Sequence, residues 1–405
     1  MRFPSPAGIV AGLCVAASLA WIALFVHSAI HRRKAIRLAD LPSDEPVGGW
    51  PRVAVIVAAR DEEAEVGDAV RSLLALDYPG LALVAVDDRS ADRTGTILDE
   101  LAARDGRLRV VHVGELPEGW LGKTNAMRAG ADAEPDATFY LFTDADVIFA
   151  PGALRRAIVL AERDRLDHLV VGPQTTTQGV GERLFMALFT LLMMLKAPLG
   201  WVGDPRRKTS IGVGAFNLVR ASAFRAIGGF GRIALSVDDD MRLGQALKYA
   251  GYRNALVLGD RDVSLRWQVG LGGMVRGLEK NFFAALDFRP GVAVYCALIA
   301  FVLAAGPIAG LFVGPTWCRV VCGLGVAVTA FLLGVSSGSS GVGAHYAVTL
   351  PLAGLVIAYA LLRSTALTLR RGGVSWRGTL YPLARLEAHT RLRNHWLNEI
   401  WHSTR

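Results

Sequence analysis

Three groups of aspartates stand out because each holds two or three carboxylates close together, and the first two groups follow apolar, strand-like stretches. They are Asp87-Asp88, Asp144-Ala145-Asp146 and Asp238-Asp239-Asp240. Adjacent carboxylates are costly to bury unless they bind something. Helix capping is the alternative explanation, by Ser90 or Asp92 after the first group and by the helix dipole at the third. Capping needs fewer carboxylates than these groups contain, so they are candidates for chemistry.

The second and third groups each favour a particular kind of chemistry. Asp144-Ala145-Asp146 places two carboxylates near one point, where a hard divalent cation such as Mg²⁺ or Mn²⁺ binds together with a diphosphate. A lone Asp-x-Asp is a weak signal, but its position at the end of a predicted strand, in register with Asp87-Asp88, strengthens it. A carboxylate of the third group can serve as a general base.

The elements that must position these groups follow from the apolar pattern. A short β-branched run predicts a buried strand at residues 53–57, and further apolar runs predict strands at residues 83–86, 108–113 and 138–143. Helical patterns lie between them, near residues 62–76, 94–104 and 123–131, and a further helix is predicted at 241–250. Alternating strands and helices predict an α/β domain whose mainly parallel sheet has helices on both faces. Such sheets bind ligands at the carboxyl ends of their strands, where the aspartates lie.

An apolar segment precedes this domain. Residues 7–30 form a 24-residue stretch, long enough to span a bilayer as a helix. A cleaved signal peptide is disfavoured, because the basic residues follow the stretch and no small-residue cleavage pattern ends it. Arg2 alone precedes the stretch, whereas Arg32, Arg33, Lys34 and Arg37 follow it. The positive-inside rule therefore predicts that the middle domain is cytosolic.

Three further apolar segments follow the domain, at residues 291–313, 317–335 and 342–362. One span before the domain and three after it would put the tail outside, yet its eight arginines against two glutamates argue for the inside. One segment is therefore expected to be re-entrant or interfacial, and residues 317–335, which include Arg319, are the first candidate. The predicted organisation is a transmembrane helix and linker (1–50), a cytosolic domain (51–290), a membrane region of two to three spans (291–362) and a basic tail (363–405).

Composition excludes several other classes of protein. The 405-residue chain is 52% hydrophobic and carries a net charge of +8, but its basic clusters adjoin apolar segments, which fits lipid head groups and not nucleic acid. All four cysteines lie in or beside apolar segments, so neither a disulfide scaffold nor a cysteine zinc site is expected in the middle domain. Residues 184–195 are too short to span; they form either a buried core helix or an interfacial helix that gathers a lipid acceptor, which Lys196 and Trp201 favour.

The ordered motifs resemble a known family. They are Ala58-Ala59-Arg60-Asp61-Glu62, Val86-Asp87-Asp88 with Ser90, Asp92 and Thr94, then Lys123, Asp144-Ala145-Asp146, Gly212-Val213-Gly214-Ala215-Phe216, Gly228-Gly229-Phe230 and Asp239-Asp240-x-x-Leu243-Gly244. This set strongly resembles the membrane-bound family 2 glycosyltransferases of the GT-A fold, over roughly residues 53–283. Within that family it is most similar to the hopanoid-associated, carotenoid and ceramide glucosyltransferase-like branches.

The resemblance implies a role for each site residue. Arg60, Glu62 and Asp88 would hold the nucleotide base, and Lys123 would approach the diphosphate. Asp146, with Asp144 beside it, would hold the divalent metal (Mg²⁺ or Mn²⁺) and the diphosphate. Asp240, with Asp239 beside it, would be the catalytic base.

Two departures from the family pattern bear on function. Asp61 stands where the family usually has Asn. The Gln/Arg-x-x-Arg-Trp motif is absent, and Arg276-Gly277-Leu278-Glu279-Lys280-Asn281 stands in its place, so that Arg276 or Lys280 would be left to steady the leaving diphosphate. Processive polysaccharide synthases rely on that motif, so its absence counts against a long polymer.

The sequence thus predicts an inverting hexosyltransferase at the cytosolic face of the cell membrane. It would move a sugar from a nucleotide-sugar donor, UDP-linked, to the hydroxyl of a membrane lipid. One alternative is a polysaccharide synthase-like transferase. The other is a non-catalytic membrane scaffold that keeps a nucleotide-binding domain, against which the three intact aspartate groups argue because of their mutual repulsion.

Overall fold

The computed structural model describes residues 5–404, so Arg2 and Arg405 lie outside the described residues. Packing divides the described chain into two compact units. The sheet unit comprises Ala35–Gln174, Trp201–Arg266 and residues 384–404. The helical unit comprises residues 5–34, Thr175–Gly200 and Trp267–Leu383. Each unit combines segments that are distant in sequence, and the domain boundaries drawn from the sequence stay a prediction.

The strands within the described range are short, and most belong to the sheet unit. They are β1 (Val53–Ala59), β2 (Leu81–Asp88), β3 (Leu108–Val113), β4 (Phe139–Asp144), β5 (Val147–Phe149), β6 (His168–Gly172), β7 (Gln174–Thr175), β8 (Asn217–Arg220), β9 (Asn254–Leu258), β10 (Val263–Leu265), β11 (Gly373–Trp376) and β12 (Thr379–Pro382).

The helices include both domain helices and long apolar ones. They are α1 (Pro6–Ile30), α2 (Val66–Leu74), α3 (Thr94–Ala102), α4 (Gly122–Asp132), α5 (Ala153–Arg163), α6 (Val180–Lys196), α7 (Ala221–Ala226), α8 (Asp239–Tyr249), α9 (Gly270–Gly277), α10 (Asn281–Ala285), α11 (Pro290–Ala309), α12 (Thr316–Val335), α13 (Ser337–Ser340), α14 (Leu350–Arg371) and α15 (Leu383–Ser403). Two 3-10 helices matter below, Gly229–Ile233 and Ala344–Thr349.

A seven-stranded sheet in the order β3-β2-β1-β4-β8-β6-β9 forms the centre of the sheet unit. Strands β3, β2, β1 and β4 pair in parallel, and β6 pairs in parallel with β9. β8 is antiparallel to both of its neighbours. The sheet is thus mixed and mainly parallel, as the sequence predicts.

Apolar side chains cover both faces of this sheet, because its central strands are apolar at consecutive positions and not in alternation. β1, for example, is buried at six of its seven residues. One face packs against α2, α3 and α5, and the other against α4, α7 and α8, which contribute to two separate hydrophobic clusters. α15 joins the second cluster through Leu397, although about 130 residues of chain separate it from α8.

Four helices of the described range are long and apolar enough to cross a membrane by length and composition. They are Pro6–Ile30, Pro290–Ala309, Thr316–Val335 and Ala344–Arg371, the last counted together with its preceding 3-10 helix. The 17-residue helix α6 packs in the same apolar cluster as α1, α11, α12 and α14. The segment at 184–195 therefore lies within the helical unit.

Contacts within the helical unit fix the directions of these helices. A Cβ placed on Gly306 or Gly310 of α11 would lie 2.9 Å from the Cβ of Ala17 or Cys14 of α1, so that α11 runs opposite to α1. α12 runs in the same direction as α1: Gly325 packs on Ser18, and the ring centroids of Phe331 and Phe25 are 5.4 Å apart.

α14 runs opposite to α11 and starts partway along it. A Cβ on Gly354, near the start of α14, would lie 2.7 Å from the Cβ of Ala304. Towards its other end, Arg363 pairs at 2.7 Å with Glu279, which precedes α11 in the chain. The Trp21 indole of α1 donates to the carbonyl of Leu303 at 2.8 Å, so α14 begins level with the middle of α1.

Candidate active site

The first two aspartate groups lie at the same edge of the sheet. β1 separates β2 from β4, and its register places Ala59 opposite Asp87 and Ala58 opposite Asp144. Because the three strands are parallel, their carboxyl ends present both groups side by side. This is the edge at which α/β sheets bind ligands.

Lys123 connects the second aspartate group to the third. It lies in the first turn of α4, and its Nζ is 2.6 Å from Oδ1 of Asp144 and 3.7 Å from Oδ1 of Asp239. Burial alone would lower the pKa of Lys123, but Asp144, Asp239 and Asp240 together raise it. The lysine is therefore a fixed positive charge between two sets of carboxylates.

The Asp144 carboxylate lies close to a glycine in the segment that leads into β8. The Asp144 amide donates to the carbonyl of Gly214 at 2.9 Å, and a Cβ on Gly214 would overlap the Asp144 carboxylate. In the same segment, the Thr143 hydroxyl donates to the carbonyl of Ala215 at 2.8 Å. The Gly212–Phe216 motif thus packs against the end of β4, the strand that carries the Asp-x-Asp group.

Asp146 differs from Asp144, whose carboxylate pairs with Lys123, in having a buried oxygen without a hydrogen bond in the described part of the chain. Its Oδ1 is buried, and among residues 5–404 no group forms a hydrogen bond with that atom. Burial, followed by the charges of Asp144 and Glu62, raises the pKa of Asp146 to about 7. A carboxylate oxygen in this state fits a cation ligand, because a bound cation would supply the missing charge.

The protein alone provides few metal ligands here. Within the described residues, no group of three or more His, Cys, Asp and Glu side chains is arranged to hold a metal ion. Asp146 and Asp144 could therefore supply only part of a coordination shell. Hard cations commonly take the remainder from substrate phosphates and water.

The third group begins helix α8, two residues earlier than the predicted start. Asp238 pairs with Arg242 at 2.8 Å, one helical turn on. Asp240 accepts a hydrogen bond from the Met241 amide at 2.7 Å. Burial and the neighbouring Asp239 raise the pKa of Asp240 to about 7, which suits a general base that works near neutral pH.

The loops after β1 and β2 are tied to each other. The Asp61 amide donates to Ser90 Oγ at 3.1 Å, the Glu62 amide donates to Thr94 Oγ1 at 2.8 Å, and Asp61 Oδ1 accepts from the Ala91 amide at 2.7 Å. Asp61 has a left-handed backbone (φ 53°). Asp61 thus connects the two loops, at the position where the family that the sequence resembles usually has asparagine.

Asp88 lies among arginines within this pair of loops. Arg89 pairs with it at 2.8 Å, and Nη1 of Arg60 is 4.0 Å from its Oδ2. Arg89 is also left-handed, with φ 59°. Strained backbone at non-glycine residues is typical of binding sites, where surrounding bonds hold it in place. Of the two residues considered as caps, Asp92 bonds the Thr94 amide at the start of α3, whereas Ser90 bonds the neighbouring loop.

Arg276 (α9) and Lys280, the two cations expected to steady the leaving diphosphate, belong to the helical unit, where Lys280 lies 3.6 Å above the ring of Trp376. Their role at the diphosphate stays a prediction. Sequence reasoning also missed Arg393, which α15 buries within the sheet unit. A signal existed: Leu386, Arg393, Leu397 and Trp401 follow helical spacing, so an arginine occupies an otherwise apolar face.

The comparisons with known proteins agree with this architecture. Residues 54–228 match the family model described as glycosyl transferase family 2. Beta-monoglucosyldiacylglycerol synthase of Synechocystis sp. is 30% identical over 210 residues, which cover 50% of this chain and 42% of that protein. The protein of the same name from Trichormus variabilis is 28% identical over 204 residues, covering 49% and 42%. The chain thus spans about two fifths of the length of these curated relatives.

A solved structure shares the fold. The mannosyltransferase PcManGT from Pyrobaculum calidifontis, in complex with GDP-Man and Mn²⁺, superposes with a TM-score of 0.53 at 17% identity, covering 85% of this chain and 99% of that one. The predicted fold class is confirmed: a GT-A-like α/β domain accompanied by candidate transmembrane helices. Residues 54–228 form a domain of glycosyl transferase family 2, which confirms the predicted family.

Proposed function

We propose that the protein transfers a hexose from a UDP-linked donor to a hydroxyl of a membrane lipid, with inversion, at the cytosolic face of the membrane. The observation that carries this proposal is Lys123, which joins the strand-end carboxylates to the acidic start of α8. Sugar transfer needs one group that binds the donor diphosphate and another that takes the proton of the acceptor hydroxyl. The two groups must lie on either side of the anomeric carbon. Arg60, Glu62 and Asp88 supply polar contacts for the base of the nucleotide.

The proposed reaction is a single displacement. Asp240 takes the proton of the acceptor hydroxyl as its oxygen bonds to the anomeric carbon, and the bond from that carbon to the diphosphate breaks. The nucleoside diphosphate leaves with the bonding electrons, and Lys123 balances part of its charge. A single displacement at an α-linked donor gives a β-linked sugar, the linkage in the names of the two relatives.

A divalent cation fits beside Asp146 and Asp144. The orphaned Oδ1 of Asp146 supports this part of the proposal, and the Mn²⁺ of the mannosyltransferase complex agrees with it. When bound, the cation would offset the charge of the leaving diphosphate. Asp146 is the principal ligand, because Lys123 already neutralises Asp144.

A lipid acceptor is supported by the association of the family 2 domain with apolar helices. Both relatives are named for a glucosyldiacylglycerol, and residues 5–404 of the present chain contain four candidate spans. The chain leaves the sheet unit after Gln174 and returns to it at Trp201, so that α6 begins and ends on one side of the membrane while packing among apolar helices. This fits an interfacial helix, where an acceptor hydroxyl would be met.

We further infer that three candidate helices cross and the fourth is re-entrant. Trp201–Arg266 and residues 384–404 both belong to the sheet unit, so an even number of crossings separates them. α11 and α12 run in opposite directions along α1 and supply two crossings. Residue 344 packs near Gly334, at the end of α12, and α14 starts level with the middle of α1 before returning. The segment Ala344–Arg371 is thus the re-entrant one, in place of residues 317–335.

The function is tested by incubating membranes that contain the protein with UDP-glucose, UDP-galactose, UDP-N-acetylglucosamine and GDP-mannose in turn. Lipid mass spectrometry should show one lipid class that gains a single hexose from a UDP donor. Membranes with the Asp240→Asn variant are the matched control and should lack that product. A water-soluble polymer would favour a polysaccharide synthase, and the absence of any product with every donor would favour a scaffold.

A further inference from the structure

Helix α15 carries a buried arginine into the sheet unit. The side chains that α15 buries are Leu386, Thr390, Arg393, Leu397 and Trp401, and Arg393 is only 3% exposed. A buried guanidinium is costly unless polar partners compensate it. Its placement on an otherwise mostly apolar face therefore calls for a specific role.

Arg393 contacts the segment that leads into the third aspartate group. Its Nη1 donates to Oγ of Ser236 at 3.2 Å, and Ser236 is itself 2% exposed. The Ser236 amide donates to the carbonyl of Ile233 at 2.8 Å, which closes a tight turn. Ser236 precedes Asp240 by four residues. The arginine thus holds the turn from which Asp239 and Asp240 enter α8.

The same turn is held from its other side by the helix that carries Lys123. The carbonyl of Ala234 accepts hydrogen bonds from the Leu121 amide at 2.9 Å and from Thr124 Oγ1 at 2.6 Å. Residues 234–236 therefore lie between α4 and α15. Any shift of this turn would change the separation of Lys123 from Asp239, which is 3.7 Å.

Further contacts keep α15 in place along this region. Arg232 lies 5.5 Å from the ring centre of Trp396, and the Thr404 hydroxyl donates to the carbonyl of Tyr249 at 3.0 Å. These contacts bracket the stretch from the 3-10 helix Gly229–Ile233 to the end of α8. α15 therefore fixes both ends of the element that presents Asp240.

We propose that Arg393 is a positioning residue for sugar transfer, which acts through Ser236 to set the place of Asp239 and Asp240 relative to Lys123. The proposal rests on the function proposed above. In this role Arg393 does not touch the reacting atoms. Its loss should affect the bond-forming step, because misplacing a reacting group by about 1 Å can cost about a hundredfold in rate.

The test compares Arg393→Met, Arg393→Lys and Ser236→Ala with Leu397→Ala, which removes packing from the same face of α15 but no charge. Each full-length variant is purified in detergent, and its Tm, kcat and donor KM are measured with the donor that the wild type uses. Arg393→Met should lower kcat by about ten- to a hundredfold with donor KM changed less than about threefold, and Arg393→Lys should recover part of the loss. Leu397→Ala should lower Tm at least as much while keeping kcat within about threefold.

A double variant adds a second criterion. If Arg393 acts through Ser236, Arg393→Met combined with Ser236→Ala should lose little more kcat than the worse single variant. The proposal would be overturned if the fold-losses in kcat of the two single variants multiplied in the double variant. It would also be overturned if the losses in kcat followed the losses in Tm across all variants, including Leu397→Ala. If the wild type is active and Arg393→Met has the same kcat, this inference alone is overturned. If the wild type transfers no sugar, the proposed function is overturned as well.

Discussion

Asp240 and Asp146 share a raised pKa, yet the proposed function gives them different roles. Both carboxylates are withdrawn from water next to another aspartate. Asp240 begins a helix and faces the lysine-bridged group, whereas Asp146 follows a strand and has an oxygen without a hydrogen bond among the described residues. Variants of the two residues should therefore fail in different ways.

Asp240→Asn should abolish turnover while leaving donor affinity nearly unchanged. The proton of the acceptor is taken only as the new bond forms, so the loss should appear in kcat, by about 10²–10⁴-fold. Steady-state kinetics and isothermal titration with UDP measure the two effects. Asp238→Asn is the matched control, since Arg242 already pairs with that residue. If Asp238→Asn, Asp239→Asn and Asp240→Asn all lost UDP binding equally, the group would belong to the diphosphate site.

The activity should also depend on pH through Asp240. A base must be deprotonated, and the pKa of Asp240 is raised to about 7, so kcat/KM should rise with pH through about 7 and level off above it. Lys123 opposes the rise in this pKa. Lys123→Met should therefore move the rising limb to higher pH in the residual activity. A rising limb at about pH 4, where an ordinary aspartate titrates, would contradict the assignment of the base.

Asp146→Asn should remove the Mn²⁺ dependence of donor binding. The variant loses charge at the carboxylate whose Oδ1 has no hydrogen bond among the described residues, and a hard cation site depends strongly on that charge. UDP titrations with and without Mn²⁺ would show it, with Asp92→Asn as a control carboxylate in a nearby loop. A variant that kept both its Mn²⁺ response and its activity would show that the Asp-x-Asp does not bind metal.

At the scale of elements, glycines determine how closely the apolar helices of the helical unit approach. A Cβ on Gly325 of α12 would lie 2.7 Å from the Cβ of Ser18, which is fully buried, whereas one on Gly323 would meet only Leu311 at 3.6 Å. Small residues at such contacts allow helices in a bilayer to pack backbone to backbone. Gly325 therefore allows α12 to pack closely against α1, whereas Gly323 does not lie at such a contact.

Gly325→Ala should destabilise the helical unit, and Gly323→Ala should not. Both substitutions favour helix formation by about 1 kcal/mol, but only the first forces α12 away from α1, at a cost of about 1–3 kcal/mol. Thermal unfolding in detergent should therefore give a lower Tm for Gly325→Ala than for Gly323→Ala. Equal Tm values would mean that α1 and α12 do not pack as described.

The elements also show how far sequence reasoning reaches. The strands that end at Asp88 and Asp144 were predictable because each is a short, continuous apolar run, which is typical of a strand buried on both faces. The start of α8 at Asp239 was missed, since three aspartates look like a preceding cap. β8 has only four residues, Asn217–Arg220, and no apolar period marks it. The pairing of Lys123 with two distant carboxylates depends on the whole sheet, which no local pattern encodes.

At the scale of the whole molecule, the expectation of a re-entrant segment followed from charge and parity alone. The sequence could not say which of the three segments it was, because all have similar apolar composition. The placement of Gly354 against Ala304 and of Ala344 near Gly334 supplied the information that points to Ala344–Arg371. The inclusion of residues 384–404 in the sheet unit was likewise invisible in a tail that reads as merely basic.

Cysteine labelling in intact cells tests the proposed topology. In a variant without its four native cysteines, Arg104→Cys and Arg391→Cys should be protected from an impermeant thiol reagent, while Phe312→Cys, in the connection between α11 and α12, should react. Permeabilised cells give the matched control, in which all three positions react. Labelling of Arg391→Cys but not Arg104→Cys in intact cells would place the tail outside and contradict three crossings.

The membership of α15 in the sheet unit also orders the biosynthesis of the protein. A ribosome completes β1 to β10 before it makes the apolar helices α11 to α14, and Leu397 and Arg393 are made only after those helices. The hydrophobic cluster that Leu397 joins therefore stays open during translation and membrane insertion. Nascent chains halted before residue 384 would carry every aspartate of the site but not the helix that packs against the turn before α8, so we expect them to lack the proposed sugar-transfer activity.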